Sequence, residues 1–201
     1  MATDEAASNN DKSGQASSNT GSLDVKVPHQ LDPCPFESNE DGQVPVQIEA
    51  GYNYSGAVTA DGIIYTWGNG NFGRLGYTDI LKQPVPRQVD ELKNHKITKL
   101  ALGYYHAAAI NQYGVVFSWG RGNSGQLGCG NVLNEDSMKP INALADRFIV
   151  DVRCGESHSV ALTSEGEVFA WGGGSMGQLG LGDSLRQSLP IKVSNLESKI
   201  I

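Results

Sequence analysis

Three tryptophans set the frame of this chain. Trp67, Trp119 and Trp171 stand 52 residues apart. Gly51, Gly103 and Gly155 keep the same interval, as do Gly62, Gly114 and Gly166, and Leu75, Leu127 and Leu179. The three units superpose without a gap, and chance does not hold such a register. A period of about 50 residues marks a propeller or a similar array. The register divides residues 45–201 into repeats at about 45–96, 97–148 and 149–201.

One unit reads as strands. ITKLALG (97–103) and HAAAIN (106–111) are the first two candidates. VVFSWG (115–120) is the third, and IIYTWG and EVFAWG share its β-branched and aromatic character. NQYG, TADG and TSEG join the second strand to the third, each ending on a glycine that takes positive φ at little cost. Proline-flanked segments at 85–89, 139–144 and 189–193 suit an outer edge strand, where a missing N–H does no harm. Four short strands are the content of one propeller blade. The expected fold is all-β: a partial β-propeller of three four-stranded blades.

Residues 1–44 read differently. They are rich in Ser and Asn and carry eight acids (Asp4, Glu5, Asp11, Asp24, Asp32, Glu37, Glu40, Asp41) against Lys12 and Lys26. Such a stretch cannot bury enough apolar surface to offset its ordering entropy, so a disordered acidic tail and linker is expected. The net charge of −7 is thereby concentrated at one end, and the repeats are close to neutral. With no basic patch, nucleic-acid binding through this chain is not expected. Cys34, Cys129 and Cys154 form no C-x-x-C, which suits a reduced compartment. No apolar leader or membrane-length stretch occurs. A soluble protein of the cytoplasm or nucleus, without a membrane contact, is expected.

WGRGNSGQLG (119–128) contains G-x-G-x-x-G at Gly120, Gly122 and Gly125, and the spacing recurs at Gly68/Gly70/Gly73 and Gly172/Gly174/Gly177. In a dinucleotide site that loop must open a helix. Here YTDILKQPVPRQV and LGDSLRQSLPIKV follow, and neither reads as an amphipathic helix. No cofactor is expected. The glycines are read as letting each loop turn tightly beside the tryptophan of its own blade. His106 and His158 occupy equivalent slots, and GYYHAAA and GESHSVA supply no second ligand, so neither a metal nor a catalytic role is expected. They read as struts bonding to backbone. No P-loop, G-x-S-x-G or H-E-x-x-H motif occurs, so no catalytic residue is expected.

GYYHAAAINQYGVVFSWGRGNSGQLGCG and GESHSVALTSEGEVFAWGGGSMGQLGLG resemble the repeat of the regulator of chromosome condensation family. The first copy departs from it, with Tyr54 in the slot of His106, Arg74 in that of Gln126 and Thr78 in that of Gly130. The resemblance implies one repeat per blade in a seven-bladed array. Three blades fall short of the about 4–8 that close a ring. Ile201 sits in register with Ile97 and Ile149, so the array is expected to be incomplete at its C-terminus and to need further blades or a second copy. The expected function is a non-catalytic protein–protein interaction module. Its variable loops 76–83, 129–137 and 181–188 would carry recognition through Asp79, Asn134, Glu135, Asp136, Asp183 and Arg186. The resemblance implies two alternatives: guanine-nucleotide exchange on a Ran-type small GTPase, and a regulatory segment of a larger ubiquitin ligase or signalling protein.

Overall fold

The computed structural model describes residues 44–78 and 82–196. The tail expected to be disordered, Asp79 and the register position of Ile201 lie outside the described residues, Val44 excepted. Among them, twelve strands form three four-stranded antiparallel sheets. The first holds β1 (Pro45–Ala50), β2 (Tyr54–Thr59), β3 (Ile64–Asn69) and β4 (Lys82–Gln88). The second holds β5 (Ile97–Leu102), β6 (His106–Asn111), β7 (Val116–Gly120) and β8 (Glu135–Pro140). The third holds β9 (Ile149–Cys154), β10 (His158–Thr163), β11 (Val168–Gly172) and β12 (Gln187–Lys192). Strands lie side by side in chain order within each sheet.

The turns between second and third strands carry Gly62, Gly114 and Gly166 at φ of 86°, 75° and 81°. Each tryptophan is paired across the ladder with a small residue: Trp67 with Ser55, Trp119 with Ala107, Trp171 with Ser159. The indole therefore has room to lie over its own sheet. Pro84, Pro86, Pro140 and Pro190 all fall on the outermost strands, where their missing donors cost no ladder bond.

The outermost strand of the second sheet departs from the sequence reading. It ends at Pro140 instead of running to residue 144. Ile141 still donates to Val116 O at 2.9 Å, but Leu144 N bonds to Ile141 O at 3.0 Å and closes a 3₁₀ turn over Asn142–Leu144. That turn sets Leu144 in the core at the second junction. Asp90–Leu92 makes the same turn after the first sheet and buries Leu92.

The sheets stack face to face. Strand β5 packs against both β1 and β9, so these first strands are the inner ones. One core cluster joins Val58, Ile64, Leu75 and Leu92 to Leu100, Ala109, Phe117 and Trp119 across the first junction. Another joins Ala108, Ile110, Val116 and Leu144 to Ile149, Val152, Ala161 and Trp171 across the second. Each large side chain buried this way contributes about 1.5–3 kcal/mol. On the inner strands, Gln47 Nε2 donates to Leu100 O at 2.8 Å and Leu100 N donates to Gln47 Oε1 at 3.0 Å. Lys99 reaches Asp151 at 3.7 Å at the next junction.

Candidate interaction face

The repeated residues are spent on holding blades together. Trp119 Nε1 donates to Arg74 O at 2.9 Å, and Trp171 Nε1 donates to Gln126 O at 2.8 Å. Each indole thus bonds the preceding blade. Ser118 Oγ fixes Leu127 by donating to its carbonyl at 2.7 Å, and Thr66 Oγ1 does the same for Leu75 at 2.8 Å.

His106 is fully buried and bonds a side chain, not the backbone strut expected of it. Its Nε2 lies 2.8 Å from Ser159 Oγ, and Ser159 Oγ donates to Gln126 O at 2.9 Å. The single hydroxyl proton goes to the carbonyl, so Nε2 carries the proton of the imidazole. Burial, and secondarily His158, push the His106 pKa down to about 3, which keeps the ring neutral. His158 is half-buried, and burial lowers its pKa as well. Tyr54, in the equivalent slot of the first blade, donates through its hydroxyl to His106 O at 2.7 Å.

The glycine-rich loops also serve the junctions. Gly73 and Gly125 have φ of 76° and 76°. A Cβ on Gly73 would lie 2.6 Å from Asp136 Cα, and one on Gly125 would lie 2.8 Å from Ser188 Cα. The loop therefore abuts the outer strand of the next blade, not the tryptophan of its own. Gly177 has φ of 73° and no neighbour within 4 Å among the described residues. Gly51, Gly103 and Gly155 follow one another along the inner strand ends, where Tyr52 N bonds Gly103 O at 3.4 Å and Tyr104 N bonds Gly155 O at 3.2 Å. Cys129 and Cys154 are free thiols, both half-buried.

Antiparallel order puts the loops between first and second strands and between third and fourth strands at one end of every sheet. That end carries a cluster of rings and cations. Tyr52 and Tyr104 stack with centroids 3.7 Å apart. Tyr105 stands edge-on to Tyr104 at 4.4 Å and to Phe72 at 5.4 Å. Arg121 lies 5.0 Å from the Tyr105 ring and 5.0 Å from the Phe72 ring. Beneath them Arg74 is buried, with Nη1 donating to Tyr52 O at 3.1 Å and Tyr104 O at 3.2 Å, and Nε donating to Asn71 O at 2.9 Å. Its guanidinium lies 4.6 Å from the Tyr105 ring. Burial lowers the Arg74 pKa, and the Tyr104 hydroxyl is held above its ordinary value first by the facing Tyr52 hydroxyl. The upper surface stays open: Tyr52 and Phe72 are exposed, with Leu133, Met176 and Leu185 on neighbouring loops of the same end.

Of the loop residues singled out from the sequence, the described ones share this end; Asn134 and Asp183 bond within their own loops, and Arg186 reaches the neighbouring blade. Asn134 Oδ1 accepts from Gly122 N at 3.0 Å, and Asp183 Oδ1 accepts from Leu185 N at 2.9 Å. Asp136 backs Gly73, Glu135 opens β8, and Arg186 Nη1 donates to Asn123 O at 3.4 Å. Sequence reasoning missed Tyr52, Phe72, Arg74, Tyr104, Tyr105 and Arg121 as a group. The available signal was the aromatic pair after the repeat glycine in GYNY and GYYH, absent from GESH. Among the described residues no set of three His, Cys, Asp or Glu side chains is placed to hold a metal ion. No helix among them is long and apolar enough to cross a membrane.

Sheets stacked in this way, each bonded to the next through its indole, define a repeat protein of the β-propeller class. The family follows from the residues that make those bonds. The chain matches the model of the "Regulator of chromosome condensation (RCC1) repeat" over residues 61–110, 113–162 and 165–201, and a second model of the same description over 46–74, 97–126 and 149–178. It belongs to the RCC1 repeat family. It is 39% identical over 166 residues to the human E3 ubiquitin-protein ligase HERC2, covering 82% of this chain and 3% of the ligase. It is 40% identical over 151 residues to the ultraviolet-B receptor UVR8 of Arabidopsis thaliana, covering 75% of this chain and 34% of the receptor. The chain thus spans about a third or less of these relatives. It superposes on human WBSCR16 with a TM-score of 0.67 at 32% identity, over 74% of this chain and 39% of that one.

Proposed function

We propose that this chain is a non-catalytic protein–protein interaction module that binds its partner with the loop end of the blades. One observation carries the reading: Tyr52, Phe72, Tyr104, Tyr105 and Arg121 cluster over the buried Arg74, with Tyr52 and Phe72 exposed at the surface and the others half-buried. Tyrosine and arginine are the side chains that dominate binding hot spots, because they offer large contact area with polar ends. A patch pinned from below loses little entropy on binding. Asn134, Glu135, Asp136, Asp183 and Arg186 form the polar margin of the same recognition end in this reading, and Asp79 belongs to the loop 76–83 that the sequence assigns to recognition.

A second reading places the module inside a larger ubiquitin ligase, and the 39% identity to HERC2 favours it. The proteins bound through the loop end would then be ligase substrates. Acceleration of nucleotide release from a Ran-type small GTPase is the remaining alternative.

The test compares the chain with its Tyr52→Ser/Phe72→Ser/Arg121→Ser variant at matched thermal stability. Affinity capture with quantitative mass spectrometry should show a discrete set of proteins lost from the variant. If no captured protein depends on these residues, the face is not the binding surface. Release of fluorescent GDP from a panel of small GTPases should be unchanged by micromolar chain, and acceleration would replace the non-catalytic reading with exchange.

A further inference from the structure

The outer edge of the junction between the second and third sheets holds a pocket of about 260 Å³. Cys129, Lys139, Pro140, Ala143 and Leu189 are among the residues that line it. Leu189 belongs to β12 and the others to the second repeat, so both walls lie within the array of described blades. Drug-sized ligands need about 300–1,000 Å³, so a space of this size suits one side chain. None of its lining residues belongs to the aromatic patch at the loop end.

The first repeat shows what fits such a slot. Cys129 stands where Tyr77 stands 52 residues earlier. Tyr77 is buried, and its hydroxyl donates to Arg87 O and lies 3.5 Å from Thr66 O. The Arg87 guanidinium lies 4.4 Å from the centre of its ring. The second blade repeats this setting. Ser118 pairs with Lys139 as Thr66 pairs with Arg87, and both ladders bulge just beyond that pair. The filling is what differs. Cys129 Sγ reaches only Leu127 O at 3.5 Å and Ser118 Oγ at 3.8 Å. At the first junction Glu91 also spans the gap, accepting from Met138 N at 3.1 Å. Ala143 and Pro190 hold those two positions at the second, one without a carboxylate and the other without an N–H. The second slot is therefore shaped like the first and left empty by its own chain.

We infer that this pocket binds a tyrosine side chain of a partner protein, seated as Tyr77 is seated in the first blade. The hydroxyl of the incoming ring donates to the Lys139 carbonyl, beside Ser118 O. The Lys139 ammonium takes the place of the Arg87 guanidinium over the ring, where a cation meets the negative face of the π-system. Cys129 forms the floor, and Leu189, Pro140 and Ala143 supply apolar contact at the sides. A phenylalanine would fill the same space and leave that hydrogen bond unmade. This second site goes beyond the loop-end reading and stands independently of it.

The test is amide chemical-shift mapping on the isotope-labelled 201-residue chain, with N-acetyl-tyrosinamide, N-acetyl-phenylalaninamide and p-cresol as probes. N-acetyl-tyrosinamide should shift Gly128, Cys129 and Ala143 with a Kd of about 1 mM, the scale of a single side chain. N-acetyl-phenylalaninamide should bind about 2–10-fold more weakly, the loss of one hydrogen bond. p-Cresol should move the same amides. Cys129→Tyr supplies the ring from within the chain. Its thermal midpoint should be no lower than that of the unmodified chain, and none of the probes should shift it. Five results would each overturn the inference: no shift at these residues by about 20 mM N-acetyl-tyrosinamide; equal binding of the two amides; binding of p-cresol alone, which would mark a free phenol as the ligand; a Cys129→Tyr variant that melts lower; or one that still binds the probes.

Discussion

Gly125 and Gly177 offer a controlled pair for asking what the repeated glycine does. Both have left-handed backbones, at φ of 76° and 73°. A Cβ at either position has the same conformational cost, about 1–2 kcal/mol. The surroundings differ. At Gly125 the added carbon would sit 2.8 Å from Ser188 Cα and 2.9 Å from Gln187 O, backbone atoms that cannot swing aside. At Gly177 nothing described lies within 4 Å. Overpacking against fixed neighbours costs about a further 1–3 kcal/mol. Gly125→Ala should therefore destabilise by about 2–5 kcal/mol and Gly177→Ala by only about 1–2 kcal/mol.

Urea unfolding followed by tryptophan fluorescence checks this. With an m-value of about 1–3 kcal/mol/M, the midpoints of the two alanine variants should differ by about 1 M. Gly73→Ala should fall with Gly125→Ala, since its carbon would meet Asp136 Cα at 2.6 Å. Equal losses at Gly125 and Gly177 would refute the junction role and return the glycine to a turn within its own blade.

Two further outcomes follow from buried groups. The His106 pKa is lowered to about 3 from 6.5. Below about pH 6.5 the unfolded chain binds a proton that the folded chain refuses, so stability should fall by about 1.4 kcal/mol per pH unit between about pH 6.5 and 3. Urea titrations should show His106→Gln losing that part of the slope, and an unchanged slope would refute it. Arg74→Gln removes the bonds to Tyr52 O and Tyr104 O and should cost about 1.5–3 kcal/mol in thermal unfolding. Arg74→Lys should not restore it, because an ammonium lacks the planar fork that serves Asn71, Tyr52 and Tyr104 together.

The architecture was legible because a propeller writes its packing into a period. Trp119 and Trp171 recur because each bonds the carbonyl 45 residues before it, Arg74 O and Gln126 O. A carbonyl has no side-chain signature, so the period revealed the indole and hid its partner. For the same reason the period suggests a turn of Gly125 beside Trp119, whereas its neighbour is Ser188 of the next blade. The His106–Ser159 bond is hidden from the sequence because Ser159 lies 53 residues away and the repeat of His106 has Ala107 where the next has Ser159. The loop end was the least legible part. Tyr52 and Tyr104 come from different repeats, and Phe72 and Arg121 from different loops, so no single window of sequence contains the cluster.

The departures from the repeat, taken together, are more informative than the matches. Tyr54 replaces a histidine where Ala107 replaces a serine, and its longer side chain reaches past the missing hydroxyl to His106 O. Arg74 replaces a glutamine where a tyrosine stack needs support from below. Gln126, in its place, bonds only Ser124 N with its side chain. Both exceptions belong to the junction between the first and second sheets, which is thereby made unlike the second. Ser55 has no part in that junction, because it lies on the opposite side of its sheet, beside Trp67. Its hydroxyl has the place in the first sheet that Ser159 Oγ, which meets His106 Nε2, has in the third.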